Sequence, residues 1–396
     1  MAETGSYVLV AVAIWLGWQV VREMAVGRLP AELSLRLSPG SALVLGRAAE
    51  TEFAADRFEN AEYLARQSLV RAPFNVQALR VLGLATAESG RKTEADDILT
   101  LAGNWSLRDD PSHAWLLDYR LTRGDYRSSF AHADTLARRR DDLQPQLFQL
   151  FTVAASTDRR SLPVLASLLA AAPPWRTAYL TGLYRTKTGL ELAANLAIAL
   201  QTTRQPFSNL ELETLYGHLF AKGMLPTMSE VRKRLGRPAP AARLMNGDFD
   251  APEGPAPFEW KLFNAGGAVA EILPDDIRED SALRAQFGSF SSRPLTEQLI
   301  QLTPGNYRLS GQTRTEVGSP YDRLVWGVSC FETGATIGDS KDATIAGETD
   351  WKAFAFDFRV PEHGCTAQWI RLIPRPGDRR DAVVAWYDRL VVTRLQ

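Results

Sequence analysis

Cysteine, histidine and lysine are all scarce in this chain of 396 residues, with two, four and seven copies. Two thiols permit at most one disulfide. The histidines, His113, His132, His218 and His363, show no metal spacing, because none has a second ligand four residues on. There is no G-x-S-x-G, no P-loop and no dinucleotide fingerprint, which removes the signatures of the common hydrolase, NTPase and nicotinamide sites. Neither sign of charge is in excess. The net charge of −1 recruits neither nucleic acid nor an acidic substrate. The lysine deficit leaves arginine as the main base, a bias of genome composition before one of function. What remains is 45% apolar and 23% charged residues, enough for real cores in two or three domains.

The longest uncharged run opens the chain. Residues 4–21, TGSYVLVAVAIWLGWQVV, are 18 positions closed by Glu3 and Arg22. At ~1.5 Å per residue such a helix just spans a ~30 Å hydrocarbon layer. Tyr7, Trp15 and Trp18 suit its interfaces. The reading is a single-pass anchor over 4–26. A cleaved signal peptide fits less well, since no basic n-region precedes the run and no small-x-small site follows it. Orientation signals conflict. Arg22, Arg28 and Arg36 all follow the run, which favours a cytoplasmic bulk. Cys330 and Cys365 sit in strand-like stretches near the end of the chain. A disulfide between them would add ~3–4 kcal/mol and need an oxidising compartment. Two unrelated buried thiols are the other reading.

From Ala42 the sequence repeats every 34 residues, with first positions Ala42, Val76 and Asp110. Position 8 is Ala49, Gly83 and Leu117, and position 20 is Ala61, Ala95 and Ser129. Small residues there let the two helices of a hairpin approach closely. Position 15, the turn between them, is Asp56, Gly90 and Gly124, residue types that tolerate positive φ. Pro73 falls where the second helix should stop.

This pattern resembles the tetratricopeptide repeat (TPR), over about 42–143 with a weaker fourth copy at 144–177. The chain departs from that family at position 11, where Glu52, Thr86 and Arg120 replace an aromatic residue, and in the second and third copies the repeat's proline is displaced to Pro111 and Pro145. The resemblance implies a helical solenoid over 42–235, with a concave face that docks a protein partner. Residues 175–235 stay helical without the period, in LELAANLAIAL and LELETLYGHLFAKGML, and read as capping helices. Residues 236–243, with two prolines, read as a linker.

After residue 244 the hydrophobic period falls from 3.6 to 2. WKAFAFDFRVP places Phe354, Phe356, Phe358 and Val360 on one face, with Ala353, Ala355 and Asp357 on the other. NYRLSGQTRTEV, LVWGVSCFE, QWIRLIP and VVAWYDRLVV are further strands, and TPGN, TGATIGDS and RPGDRRD are turns. The fold class is therefore multidomain, α then β: an N-terminal transmembrane helix, an α-solenoid, then an antiparallel β-sandwich or jelly roll over 244–396.

The opening Asn246-Gly247-Asp248-Phe249-Asp250, Trp260 further on, and the closing Trp386-Tyr387-Asp388 together resemble the galactose-binding-like jelly roll shared by many carbohydrate-binding modules. That resemblance allows a structural calcium on Asp248, Asp250 and Asp388, but no cofactor is expected, since Asp250 and Asp388 read first as ordinary turn and edge residues. It implies sugar stacking on exposed aromatic rings. Trp326, Trp369 and Trp386 sit inside alternating strands and read as core. Phe258, Trp260, Tyr321 and Trp351 lie at strand ends or turns and are the candidate ligand residues. PDDIRED (274–280) reads as a solvated loop, and no two carboxylates can be paired for glycosidase chemistry.

The arrangement also resembles membrane-anchored TPR proteins found near bacterial surface-polysaccharide genes. The expectation is a non-catalytic scaffold in the bacterial inner membrane, its soluble domains periplasmic. Its expected partners are a protein on the solenoid, a polysaccharide or second protein on the sandwich, and the membrane through the N-terminal helix. No nucleic acid is expected. A glycan-active enzyme and a purely structural subunit of an envelope complex are the alternatives.

Overall fold

A computed structural model describes residues 18, 29–236, 244–252, 254–264, 266–277, 280–288, 293–318, 323–341, 350–375 and 382–396. Apart from Trp18, the expected anchor at 4–26 lies outside the described residues, and so does the linker apart from Gly236. Among the described residues no helix is long and apolar enough to cross a membrane. The chain divides into two compact units, residues 1–179 and 180–396.

The first unit is a run of helical hairpins: α1 (Ala31–Leu37), α2 (Ala42–Ala54), α3 (Phe58–Arg71), α4 (Val76–Glu88), α5 (Lys92–Trp105), α6 (Asp110–Thr122), α7 (Tyr126–Ala137), α8 (Gln144–Thr157) and α9 (Ser161–Leu169), with α10 (Arg176–Leu183) at its end. The 34-residue period is the period of these hairpins. The turns between α2 and α3, α4 and α5, and α6 and α7 are closed by Asp56, Gly90 and Gly124, each at positive φ (57°, 82° and 73°). Small residues set the helix spacing: a Cβ on Gly83 would stand 2.5 Å from Leu99 Cγ. Ala49, Ala61, Ala65, Ala78, Val81, Leu82 and Ala85 form one apolar cluster between α2, α3 and α4. The displaced prolines, Pro111 and Pro145, occupy the first turns of α6 and α8, where a missing N–H costs nothing.

In the second unit, α11 (Lys187–Leu200), α12 (Asn209–Ala221) and α13 (Leu225–Arg234) precede ten strands. These are β1 (Lys261–Leu262), β2 (Ala268–Pro274), β3 (Ser281–Phe287), β4 (Thr296–Ile300), β5 (Gly305–Val317), β6 (Arg323–Cys330), β7 (Thr336–Asp339), β8 (Lys352–Val360), β9 (Gln368–Arg375) and β10 (Val383–Arg394). They make two five-stranded antiparallel sheets, in the orders β1-β4-β9-β6-β7 and β2-β3-β10-β5-β8. Phe287, Leu309, Trp326, Phe358, Leu372 and Tyr387 share the core between them. The alternation expected in β8 holds, with Phe358 and Val360 buried and Ala353, Ala355 and Asp357 exposed. The TGATIGDS stretch, expected as a turn, contains β7, which pairs with β6 alone. Two glycines in this stretch hide it from a reading of propensity.

The outer face of the first sheet is covered by helix. Phe220 of α12 meets Trp369 of β9 and Phe331, with ring centroids 5.7 and 4.7 Å apart. Ser229 of α13 donates to Gln301 at 2.9 Å. Read from sequence, α12 and α13 close the solenoid; in the structure they belong to the same compact unit as the sheets.

Candidate functional site

The outer face of the second sheet remains. Strand register builds a row across it: Glu271 of β2 pairs with Arg284 of β3, Arg284 with Trp386 of β10, and Trp386 with Arg314 of β5. Trp351, just before β8, completes the row. The Arg314 guanidinium lies 4.9 Å from the Trp386 ring centroid and 5.7 Å from that of Trp351. A cation between two indoles gains from both ring quadrupoles.

Asp275 holds the stack. Its Oδ1 accepts from Arg314 Nη2 at 3.0 Å and its Oδ2 from Trp351 Nε1 at 3.0 Å. The side chain is fully buried, an exception in the 274–280 stretch, where Pro274, Asp276 and Ile277 are exposed as expected of a solvated loop. A buried carboxylate requires partners, and Arg314 and Trp351 supply both a charge and a donor. Beyond Trp386, its indole N–H donates to Glu316 Oε2 at 2.9 Å, and Arg284 stands 3.4 Å from the same oxygen. The indole bond, together with the neighbouring guanidinium, holds the Glu316 carboxyl below the usual carboxylate range. Gln312 Oε1 and Arg314 Nε are buried and have no hydrogen-bond partner among the described residues. The face therefore presents one half-buried indole, Trp351, beside a buried one, Trp386, with fixed charges of both signs around them.

The sequence-based candidates are placed as follows. Trp351 belongs to this row and is half-buried. Trp386 is buried as expected, at 8% exposed, but on the other side of β10 from Ala385 and Tyr387, which join the core between the sheets; Arg314 covers its ring. Phe258 is 2% exposed, edge-on to Tyr216 of α12 at 5.5 Å, with Arg232 lying 4.4 Å from its ring centroid. Trp260 is 5% exposed; it donates to the Asn246 carbonyl at 2.8 Å and lies between Phe249 and Trp326. Neither ring has a face toward solvent. Tyr321 lies outside the described residues.

The three aspartates named for calcium do not converge. Asp388 is buried and accepts from the Arg389 N–H at 2.6 Å, Asp250 accepts from the Ser281 N–H at 2.9 Å, and Asp248 is exposed. Among the described residues no group of three metal-ligating side chains forms. Asp248 instead lines an open groove of about 630 Å³ with Arg389 and Arg394. Cys330 and Cys365 are joined by a disulfide.

The helical unit holds polar networks that sequence reading missed, because their members sit on different helices. Arg80 of α4 bonds Glu50 of α2 and, at 2.6 Å, the buried Asp109 before α6, linking three successive hairpins. His113 of α6 and His132 of α7 share an Nδ1···Nδ1 contact of 2.8 Å, and Arg120 Nη1 reaches His132 Nε2 at 3.1 Å. Arginine can only donate, so His132 accepts at Nε2, carries its proton on Nδ1 and donates to His113. Burial, then the neighbouring His113 and Arg120, pushes His132 down to about 4; burial also lowers His113.

No family model and no curated protein matches the sequence. Solved structures do. A structure described as "CBM4 structure and function" is 17% identical and aligns 38% of this chain with 99% of its own, at a TM-score of 0.28. The C-terminal family 22 carbohydrate binding module of Clostridium thermocellum Xyn10B is 10% identical over 40% of this chain and 97% of its own, at 0.29. YrrB, described as a TPR protein with an unusual peptide-binding site, is 10% identical over 52% of this chain and 91% of its own, at 0.28.

Proposed function

We infer that the chain is a non-catalytic binding scaffold, in which the helical hairpins dock a protein or peptide and the outer face of the second sheet binds a glycan. Half-buried Trp351, fixed through Asp275 beside Arg314 and backed by buried Trp386, carries the glycan reading. Indole rings suit the apolar face of a sugar, and the fixed polar groups around them suit its hydroxyls. For the hairpins, the support is the repeat itself: successive first helices present side chains such as Gln77, Glu50 and Arg80 along one surface. The disulfide favours an oxidising compartment, and with the uncharged run at 4–21 it supports a periplasmic protein anchored in a bacterial inner membrane. A role in making or exporting surface polysaccharide is the cellular reading that joins these parts.

A glycan array with the wild-type chain, repeated with Trp351→Ala and Trp386→Ala, tests the site. Retention lost by at least tenfold in both variants supports it. No binding to any glycan, or equal binding by the variants, removes the sugar from the proposal. Crosslinking with an Arg80→Glu control tests the protein partner separately.

A further inference from the structure

The helical unit differs between its two edges. Because α1 to α7 zigzag through short turns, the ends of α1, α3 and α5 share an edge with the starts of α2, α4 and α6. The opposite edge holds the turns at 55–57, 89–91 and 123–125, made of small and charged residues. On the first edge Leu37 is 56% exposed, Val70 79%, Phe74 74% and Leu107 62%. Phe74 packs at a tilt against Trp105 with centroids 4.2 Å apart, which ties one turn to the next. Large apolar side chains grouped in this way mark an interaction surface.

Each of the three turns also carries an exposed arginine: Arg36, Arg71 and Arg108. Arg71 bonds the side chain and carbonyl of Gln67. Among the described residues none of the three is in an ion pair. The following turn is different, since Arg138, Arg139 and Arg140 are matched by Asp134, Asp110 and Asp142.

We propose that this edge docks on an anionic lipid bilayer, with Phe74 and Leu107 entering the headgroup region and Arg36, Arg71 and Arg108 meeting lipid phosphates. The exposed apolar groups sit at three successive turns along one edge, each beside an arginine, so an extended anionic surface can meet all three at once. Unpaired guanidinium groups beside aliphatic and aromatic side chains are the chemistry of the membrane interface. The uncharged run at 4–21 ends eight residues before Leu29, where the chain leading into α1 begins, a span of up to ~27 Å if extended. The turns alone carry the proposal; it depends on neither the anchor nor the glycan reading.

Both native cysteines are consumed in the disulfide, so a single added thiol can be labelled selectively. The full chain carrying Leu107→Cys, labelled with an environment-sensitive dye, is mixed with phosphatidylcholine vesicles with or without phosphatidylglycerol. A Ser89→Cys label on the opposite edge is the control. The expected result is a blue shift and lipid-chain quenching at position 107 with the anionic vesicles, and neither at 89. Arg71→Gln and Arg108→Gln should each weaken the response about fivefold at low salt. No shift at 107, or equal shifts at both positions, overturns the proposal. Vesicle binding with neither label shifted overturns it too, and assigns binding to the N-terminal run. A shift produced by a soluble acidic peptide and not by the vesicles assigns the edge to a protein partner.

Discussion

His132 shows how one side chain makes stability depend on pH. Its folded pKa, lowered to about 4, lies below the ordinary histidine value near 6.5. The unfolded chain therefore takes up this proton first as pH falls. The contribution is complete above about pH 6.5 and is lost as pH drops toward about 4. At ~1.4 kcal/mol per unit the ceiling is ~3 kcal/mol, and solvent at the half-buried ring reduces it to ~1–2. Chemical denaturation at pH 7 and pH 4.5 should show this loss in the wild type and a smaller one in His132→Gln; equal losses would refute the assignment. Asp275 acts through its two bonds, to Arg314 and to Trp351. Asp275→Ala leaves Arg314 largely buried without its carboxylate, an expected loss of ~3 kcal/mol. Trp351 should also become more accessible to a fluorescence quencher, and unchanged quenching would contradict its tie to Asp275.

Among the elements, the α4–α5 hairpin depends on the absence of one side chain. Gly83 faces Leu99 and Ile98 so closely that a methyl group must displace them. Gly83→Ala should cost ~1–3 kcal/mol by overpacking, despite alanine's better helix propensity. Calorimetry that shows stabilisation would mean the hairpin opens freely to make room. The strands follow a comparable logic of sides. In β10, Tyr387 enters the core and Trp386 leaves it because side chains alternate, so two adjacent aromatics have different roles. A one-residue slip of β10 would exchange them, and the Arg314 stack would be lost with the core.

For the molecule as a whole, the chain divides into two compact units, and the disulfide lies in the second. It closes a separation of 35 residues between β6 and the segment before β9. Cys330→Ser with Cys365→Ser should destabilise residues 180–396 by ~4 kcal/mol through loop entropy in the unfolded state. The transition of the helical unit should stay where it is. Differential scanning calorimetry with and without reductant separates the two, and a shift of both transitions together would show that the units unfold as one.

The order of helices then strands, the 34-residue hairpin period, the turn positions at Asp56, Gly90 and Gly124, and the in-and-out alternation of β8 are all legible along the chain. Each is a local rule, in which backbone freedom, small-residue spacing or a two-residue period acts within one element. Which face each aromatic takes follows from packing between distant segments. Phe258 and Trp260 were covered by elements far away in sequence, Trp386 was turned to the other side of β10 from Tyr387 by strand register, and Asp275 was buried by Arg314 and Trp351 arriving from β5 and β8. The same packing brought His113 to His132, and kept Asp248, Asp250 and Asp388 from converging. Such outcomes depend on pairing between distant segments, which leaves no periodic trace along the chain.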